Sequence, residues 1–417
     1  MVEGYAAFIR SHADAGALIL QPRMGFGTTT EMRNALQRIK CAHHIGPRIG
    51  TVTVDAYTRM GQVDRATAAI ANGERLNGFP ILSHDPEEVL KLLDGIRDAN
   101  FPVQIRHGTA FPYDIFKVAA TAGFDAIEGG PISYTLPYSR VPLSESVEAW
   151  VIATKYWARH GMEVSIPMHI ETFGGCMLGQ LCPPSLLIAI SVLEGLFFIE
   201  QGIQSFSLSL TQGIDDAQDV GAILALRWLS EVHFSGLDWH LVYYTFMGLF
   251  PETVAGCERI IRKSAALCVK AGVSRLIVKT AAEATSIPTV DDNIQAMLWA
   301  RSEAEKVPED FSAAELYWAQ LIENEAKQLI RAVLDLPGTM ADKLVSSFRL
   351  GFLDVPFCLH PGNKNSSRPK IDEESGALVW DSVGGMPLHI TNGTSSKHFD
   401  ATRFTQLLWL TRNKYDR

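Results

Sequence analysis

The chain has 417 residues, 47% of them hydrophobic and 20% charged, a balance that builds a sizeable core and excludes a disordered chain. A formal charge of −9 and a pI near 5.8 exclude the basic surface that a nucleic-acid backbone requires. Six scattered cysteines without C-x-x-C spacing read as reduced thiols, and with no basic-then-apolar leader the chain is expected in the cytoplasm.

Eight short apolar or β-branched runs follow one another, each leading into polar residues or glycine. They lie at 17–23 (ALILQPR), 49–59 (IGTVTVDAYTR), 101–106 (FPVQIR) and 124–128 (FDAIE). The second four are 163–173 (EVSIPMHIETF), 205–212 (SFSLSLTQ), 240–247 (HLVYYTFM) and 274–279 (SRLIVK). Helical patterns separate them at 31–40, 63–76, 86–99, 113–122, 143–160, 183–201, 215–231 and 251–271, several with proline in the first turn. The most apolar segment, 183–199, carries Glu194. It reads as a buried barrel helix, since a membrane span needs ~20 uninterrupted apolar residues.

Eight alternations of strand and helix predict an α/β protein, a TIM (β/α)8 barrel over residues 1–290, with the active site where the strands end. An extra apolar piece, GFPILSH at 78–84, keeps a doubly wound open sheet as the alternative. The pattern then changes. Helices are expected at 290–306 and 310–334, followed by a turn-rich stretch at 350–369 and an apolar helix at 404–409. Residues 291–417 are therefore expected to form a mostly helical, partly irregular extension packed on the barrel.

Arg23, Arg59 and Arg106 stand at the ends of three consecutive predicted strands. One such arginine reads as a surface ion pair. Three at one structural position make a cluster that is stable only when an anion is supplied, a dicarboxylate or a phosphorylated compound. Glu128, one strand further on, reads as a counter-charge for Arg106 or as a group that holds a substrate ammonium or moves a proton. Tyr134 and Tyr138 in SYTLPYSR are either packing residues or hydroxyls for a carboxylate, and Thr53 and Asn77 are candidates of the same kind. Lys279 ends the last strand with Glu283 four residues on. That pair reads as an ion pair, as a Schiff-base lysine, or as hydrogen-bonding groups for a ligand with hydroxyls. No dinucleotide, Walker, nucleophile-elbow or zincin motif occurs, and His43-His44 lacks further ligand spacing, so no metal site is expected on this chain.

The segments LILQPRMG, TVTVDAYTR, LNGFP, VQIRHGT, FDAIEGGPISYTLPY, LIVKTAAEATSIPT and LDVPF, spread over residues 17–356, resemble the large (epsilon) subunit of glutamate mutase, or methylaspartate mutase. The resemblance implies a TIM-barrel enzyme that interconverts glutamate and 3-methylaspartate by adenosylcobalamin-dependent radical chemistry. It implies that Arg23, Arg59 and Arg106 grip the two substrate carboxylates, and that Glu128 contacts the amino group. Tyr134, Tyr138, Gln104 and His107 are then expected around the substrate, with Glu128, Arg106 and Tyr138 in catalytic roles. Thr53, Asn77 and Phe173 match positions lining the cofactor cavity, and Lys279 and Glu283 match residues that hold the adenosyl ribose. The family's cobalt-ligating Asp-x-His-x-x-Gly is absent, since Asp238-Trp239-His240 lacks the glycine. The resemblance thus implies a separate small subunit as carrier of the cobalamin, and a homodimer of this chain within a heterotetramer. Two stretches depart from the family pattern: YTFMGLFP, where a histidine and a glutamine usually precede MGG, and CLHPGNKNSSRP after LDVPF. A cofactor-free lyase or aldolase using Lys279 and a non-catalytic dicarboxylate binder are the competing readings.

Overall fold

The computed structural model describes residues 4–306, 310–389 and 401–417. Its centre is a barrel of eight parallel strands: β1 (Ile19–Pro22), β2 (Gly50–Thr53), β3 (Val103–Arg106), β4 (Ala126–Glu128), β5 (His169–Glu171), β6 (Ser205–Thr211), β7 (Asp238–Tyr244) and β8 (Arg275–Val278). From β2 to β8 each strand pairs with its sequence neighbour, β1 pairs with β8, and an isolated bridge from Leu20 to Arg48 links β1 to the stretch leading into β2. Between β1 and β2 the Leu20 amide donates to the Pro47 carbonyl at 3.0 Å and the Ile49 amide to the Leu20 carbonyl at 3.2 Å. The sheet therefore closes, and the open doubly wound alternative falls. GFPILSH contributes only a bridge from Phe79 to Val54 at the β2 end.

Strand alternation divides the two faces by chemistry. In β3, Val103 and Ile105 join the main apolar core, while Gln104 and Arg106 form polar bonds with residues of other strands. Helix Pro184–Glu200 is buried along almost its whole length, as expected for a barrel helix. Among the described residues no helix is long and apolar enough to cross a membrane.

Several boundaries differ from the expectation. The run at 49–59 is strand only as far as Thr53. Asp55 then accepts hydrogen bonds from the amides of Tyr57 and Thr58 and starts the short helix Ala56–Arg59, so Arg59 lies on a helix and not on a strand end. The helix before β5 runs through residue 164, and β5 begins only at His169. Helix Tyr5–Asp14, unmarked in the sequence, plugs the amino-terminal end of the barrel: Tyr5, Phe8 and Ile9 pack on Ile19, Ile49 and Ala126.

Three helices follow the barrel, Val290–Ala304, Ala313–Leu334 and Met340–Leu350. Each starts with a reciprocal capping box, Thr289 with Asp292, Ser312 with Glu315 and Thr339 with Asp342, worth roughly 1 kcal/mol per cap. The third helix was not anticipated. Nor was the antiparallel hairpin Arg368–Ile371 with Leu378–Ser382, which is fastened to the barrel where the Gln218 amide brackets the Leu378 backbone at 2.8 and 3.0 Å. The expected helix at 404–409 extends over Ala401–Asp416. Residues 358–360 lie along the loop after β4, where Cys358 reaches the Leu136 carbonyl and His360 the Val141 carbonyl.

Candidate active site

The barrel interior carries polar side chains in layers. In the lower one, Arg275 on β8 is wholly buried. Its guanidinium binds the Glu171 carboxylate and the Gln21 side chain, and reaches Gln104 at 3.0 Å and Ser207 at 3.2 Å. Gln104 also accepts from Gln21 at 2.7 Å and donates to Glu171 at 3.1 Å. Its amide is thus engaged on both ends by protein, one layer beneath the pocket in which it was expected. Below Arg275 the rings of Tyr5, His169 and His240 stack at 4.6 and 5.0 Å. Burial, with Arg275 nearby, holds both imidazoles well below their usual pKa and therefore neutral.

Glu128, fully buried at the end of β4, organises the next layer. One carboxylate oxygen accepts from Arg106 Nε and from the Tyr244 hydroxyl at 2.6 Å, and the other accepts from the Tyr134 hydroxyl. Gly129 (φ +133°) allows this, because a Cβ there would meet the Tyr134 ring at 2.4 Å. Burial pushes the Glu128 carboxyl up, but the Arg106 charge and the two phenols pull it below the usual range. Burial likewise opposes the Arg106 charge, and Glu128 outweighs it, raising the guanidinium pKa. The Tyr244 hydroxyl also contacts Glu171, so one phenol proton serves carboxylates of both layers. Three of the about four acceptor sites on Glu128 are filled. Arg106 Nη1 is buried without a partner among the described residues.

The rim above holds the remaining cations. Arg23 lies 3.2 Å from Glu283, and Lys279 3.6 Å from the same carboxylate. Burial lowers Lys279 to about 8, with Glu283 acting against it, and the ammonium sits 4.7 Å above the Phe250 ring. Glu283 is pulled below its usual range by Arg23, Lys279 and Arg106 against the effect of burial. Arg59 donates Nε to the Val54 carbonyl at 2.8 Å. Its pKa is lowered by burial, then by Arg23 and more weakly by Arg106, while Tyr134 and Tyr138 oppose that fall. Arg59 therefore lies in the field of the other two guanidiniums although it comes from a helix. Counted together, Arg23, Arg59, Arg106 and Lys279 face Glu128 and Glu283: four cations against two carboxylates, an excess of two positive charges.

Aromatic rings wall this space. Tyr134 meets Tyr138 edge-on at 5.8 Å and Phe173 at 5.2 Å, and Phe173 meets Tyr244 at 5.7 Å. Tyr138 leaves 47% of its surface exposed at the rim. His107 stacks on Trp150 at 5.6 Å, and burial lowers its pKa to about 3. Its Nδ1 accepts the Thr109 amide, which leaves the proton on Nε2, a buried atom without a partner among the described residues. The Thr53 hydroxyl is buried and unpartnered in the same sense. Asn77 is exposed on a rim loop that bridges to Phe26, and no bond from its side chain to the charged cluster occurs among the described residues.

Three residues of this assembly, Glu171, Tyr244 and Arg275, went unnoticed in the sequence. The signal was parity. Glu171 ends β5 two residues before Phe173, and Arg275 begins β8 two residues before Ile277 and four before Lys279, which follows the strand directly.

A sequence profile of the methylaspartate mutase E chain (MutE) matches residues 3–403. Similar proteins include the glutamate mutase epsilon subunit of Escherichia coli O157:H7, 32% identical over 389 residues, which span 89% of this chain and 79% of that protein. Others are the epsilon subunits of Yersinia enterocolitica, 30% identical over 397 residues (89% and 79%), and Haloarcula marismortui, 30% over 373 residues (87% and 75%).

Proposed function

The chain belongs to the methylaspartate mutase E-chain family, and from that premise we propose that it is the catalytic subunit of an isomerase interconverting L-glutamate and (2S,3S)-3-methylaspartate. The observation that carries this reading is the double excess of positive charge at the barrel mouth, beside an unfilled acceptor site on Glu128. The two carboxylates of an amino dicarboxylic acid meet the surplus cations, its ammonium finds an acceptor on Glu128, and the excess of positive charge falls from two to one.

In this scheme Arg23, Arg59 and Arg106 hold the carboxylates, Arg106 through its free Nη1. Bidentate guanidinium contacts fix both ends of the substrate, which keeps fragments in place during a carbon-skeleton rearrangement. Glu128 receives the ammonium, and Tyr138 closes the rim over it. Tyr134 and Tyr244 keep the Glu128 carboxylate ionised and oriented. Phe173, Phe250 and the aromatic wall exclude water from the reacting carbons.

Lys279 and Glu283 form a donor–acceptor pair, with the unpartnered Thr53 hydroxyl also available, and this donor set fits the vicinal hydroxyls of a ribose. These residues would hold the adenosyl part of adenosylcobalamin, whose cobalt a small subunit bearing Asp-x-His-x-x-Gly would ligate. When bound, that cofactor supplies the radical that begins the rearrangement. The test is to incubate the chain with such a small subunit, adenosylcobalamin and glutamate. Proton NMR should then detect 3-methylaspartate, and its absence in a complete mixture refutes the assignment.

One observation favours a second reading, a lyase or aldolase that forms a Schiff base. Burial brings Lys279 down to about 8, within reach of a nucleophilic amine. Borohydride trapping of a carbonyl substrate on Lys279 distinguishes it from the mutase. The ion pair with Glu283 supports a binding role for this lysine instead.

A further inference from the structure

Glu194 lies in the most apolar helix of the barrel and is fully buried. Among the described residues its carboxylate has no hydrogen bond to the charged cluster, yet it is fully engaged. One oxygen accepts the amides of Ile132 and Ser133 at 3.1 and 2.9 Å, and the other accepts the Ser133 hydroxyl at 3.0 Å and the Gly174 amide at 3.1 Å. The first three donors belong to the loop after β4 and the fourth to the loop after β5. These two loops carry Tyr134, which binds Glu128, and Phe173, which walls the pocket. Gly130 makes room for the arrangement, since a Cβ there would lie 2.1 Å from the Glu194 carboxylate.

The geometry points to Glu194 as a positioning residue that clamps the loops after β4 and β5 to one another and so sets the shape of the substrate pocket. The inference takes the space above Glu128 as the substrate site. A single carboxylate that satisfies three otherwise orphaned amides from two loops couples them, because neither loop can lift without stranding a buried donor. Its chemistry also explains the choice of glutamate. Burial raises the carboxyl to about 7, and the protonated form fits as well: a proton on the second oxygen is accepted by the Ser133 hydroxyl, while all three amides keep their acceptor. Glutamine lacks that freedom, because its NH2 would face the Gly174 amide, donor against donor.

The titratable groups on the surrounding elements are Tyr134 and Cys176 on the two loops, both raised by burial, and Glu128 and Glu171 at the strand ends that lead into them. Lifting the loops exposes the Glu194 carboxyl to water, where its pKa returns to the ordinary range. The closed arrangement therefore takes up a proton that the open one releases. The loops are held tightest below the ordinary carboxyl range, loosen by up to about tenfold per unit as pH rises from there to about 7, and change little above it.

Hydrogen exchange of the full chain, read by mass spectrometry over segments 131–134 and 173–176, tests this together with calorimetric titration of glutamate. Glu194→Gln should speed exchange at 173–176 with 131–134 little altered. Glu194→Ala should speed both, and each variant should weaken glutamate binding about tenfold or more. Exchange corrected for intrinsic rates should rise from the ordinary carboxyl range up to about pH 7 in the wild type but not in Glu194→Gln. Should Glu194→Ala not fold, Ser133→Ala carries the test through faster exchange at 131–134 alone. Unchanged exchange in these variants overturns the clamp, and faster exchange with unaltered glutamate affinity reduces Glu194 to a structural prop, which overturns it equally. A wild-type chain that binds no glutamate sinks the reading of the pocket, while the exchange data still decide whether Glu194 couples the loops.

Discussion

The barrel holds two sets of arginines and glutamates, one above the other, and they differ in charge balance. In the lower set Arg275 meets Glu171, Gln21, Gln104 and Ser207, and those partners bond among themselves. Each set leaves one guanidinium nitrogen without a partner among the described residues, Arg275 Nε below and Arg106 Nη1 above, but the upper set also makes two cations share Glu283 and places Arg59 in the field of two further guanidiniums. The same residue types thus serve two ends. A charge-balanced pair holds the barrel together, whereas a set with surplus cations stores binding capacity for an anion.

The sharpest way to break this contrast is to remove one cation from each set. Arg275→Met strands the Glu171 carboxylate in the barrel interior and should cost about 3–5 kcal/mol of folding stability, measured by chemical denaturation. Arg59→Met should leave the melting temperature unchanged or slightly raised, since it relieves like-charge repulsion, while abolishing most glutamate affinity. If the two variants lose stability equally, the mouth cluster is structural and the contrast disappears.

Next in size is Arg106→Lys, which keeps the charge but replaces a planar two-point grip with a point charge. Turnover in the reconstituted system should fall well over tenfold, and a rate equal to wild type removes Arg106 from the substrate grip. Tyr244→Phe lies between the two layers and sharpens the comparison. Losing the hydroxyl that joins Glu128 to Glu171 should cost about 1–2 kcal/mol of stability and also reduce turnover about tenfold. A loss of stability alone would assign Tyr244 to the lower layer, and a loss of turnover alone to the upper.

Much of this was legible before any coordinates. Strand existence and order followed from apolar runs halted by polar residues, because a parallel strand buried on both faces must be short and must stop where its chain turns into a loop. Position along those strands was harder. In TVTVDAYTR the β-branched residues outweighed Asp55, although an aspartate followed by free amides is a helix start, and so Arg59 was assigned to a strand end. The charge balance around Arg275 and the surplus around Arg106 were out of reach, since both are arginines on inward faces and only the closed barrel decides which partners arrive. The hairpin Arg368–Ile371 with Leu378–Ser382 was missed for a different reason. Its strands are short and rich in polar residues, with too little apolar alternation to separate them from a loop.

The smallest effect expected concerns Lys279, the cation whose charge is least secure. Burial lowers it to about 8, against an ordinary value of about 10.4. The carboxylates of bound glutamate favour the Lys279 ammonium and raise its pKa, so binding takes up a proton wherever the free site has lost one. Affinity for glutamate should therefore be flat below about pH 7, where Lys279 is charged in both states, and should fall as pH rises through about 8. The fall ends above the pKa of the bound state, where the amine is neutral throughout. One unit charge at a partly screened mouth is worth roughly 1 kcal/mol, which is about fivefold in affinity. Calorimetric titrations from pH 6 to 9.5 measure it directly. Lys279→Met should bind at the wild-type high-pH level across the whole range, with the step gone. If the step survives that substitution, a different group is titrating, and Lys279 contributes nothing to the surplus charge that separates the upper layer from the lower.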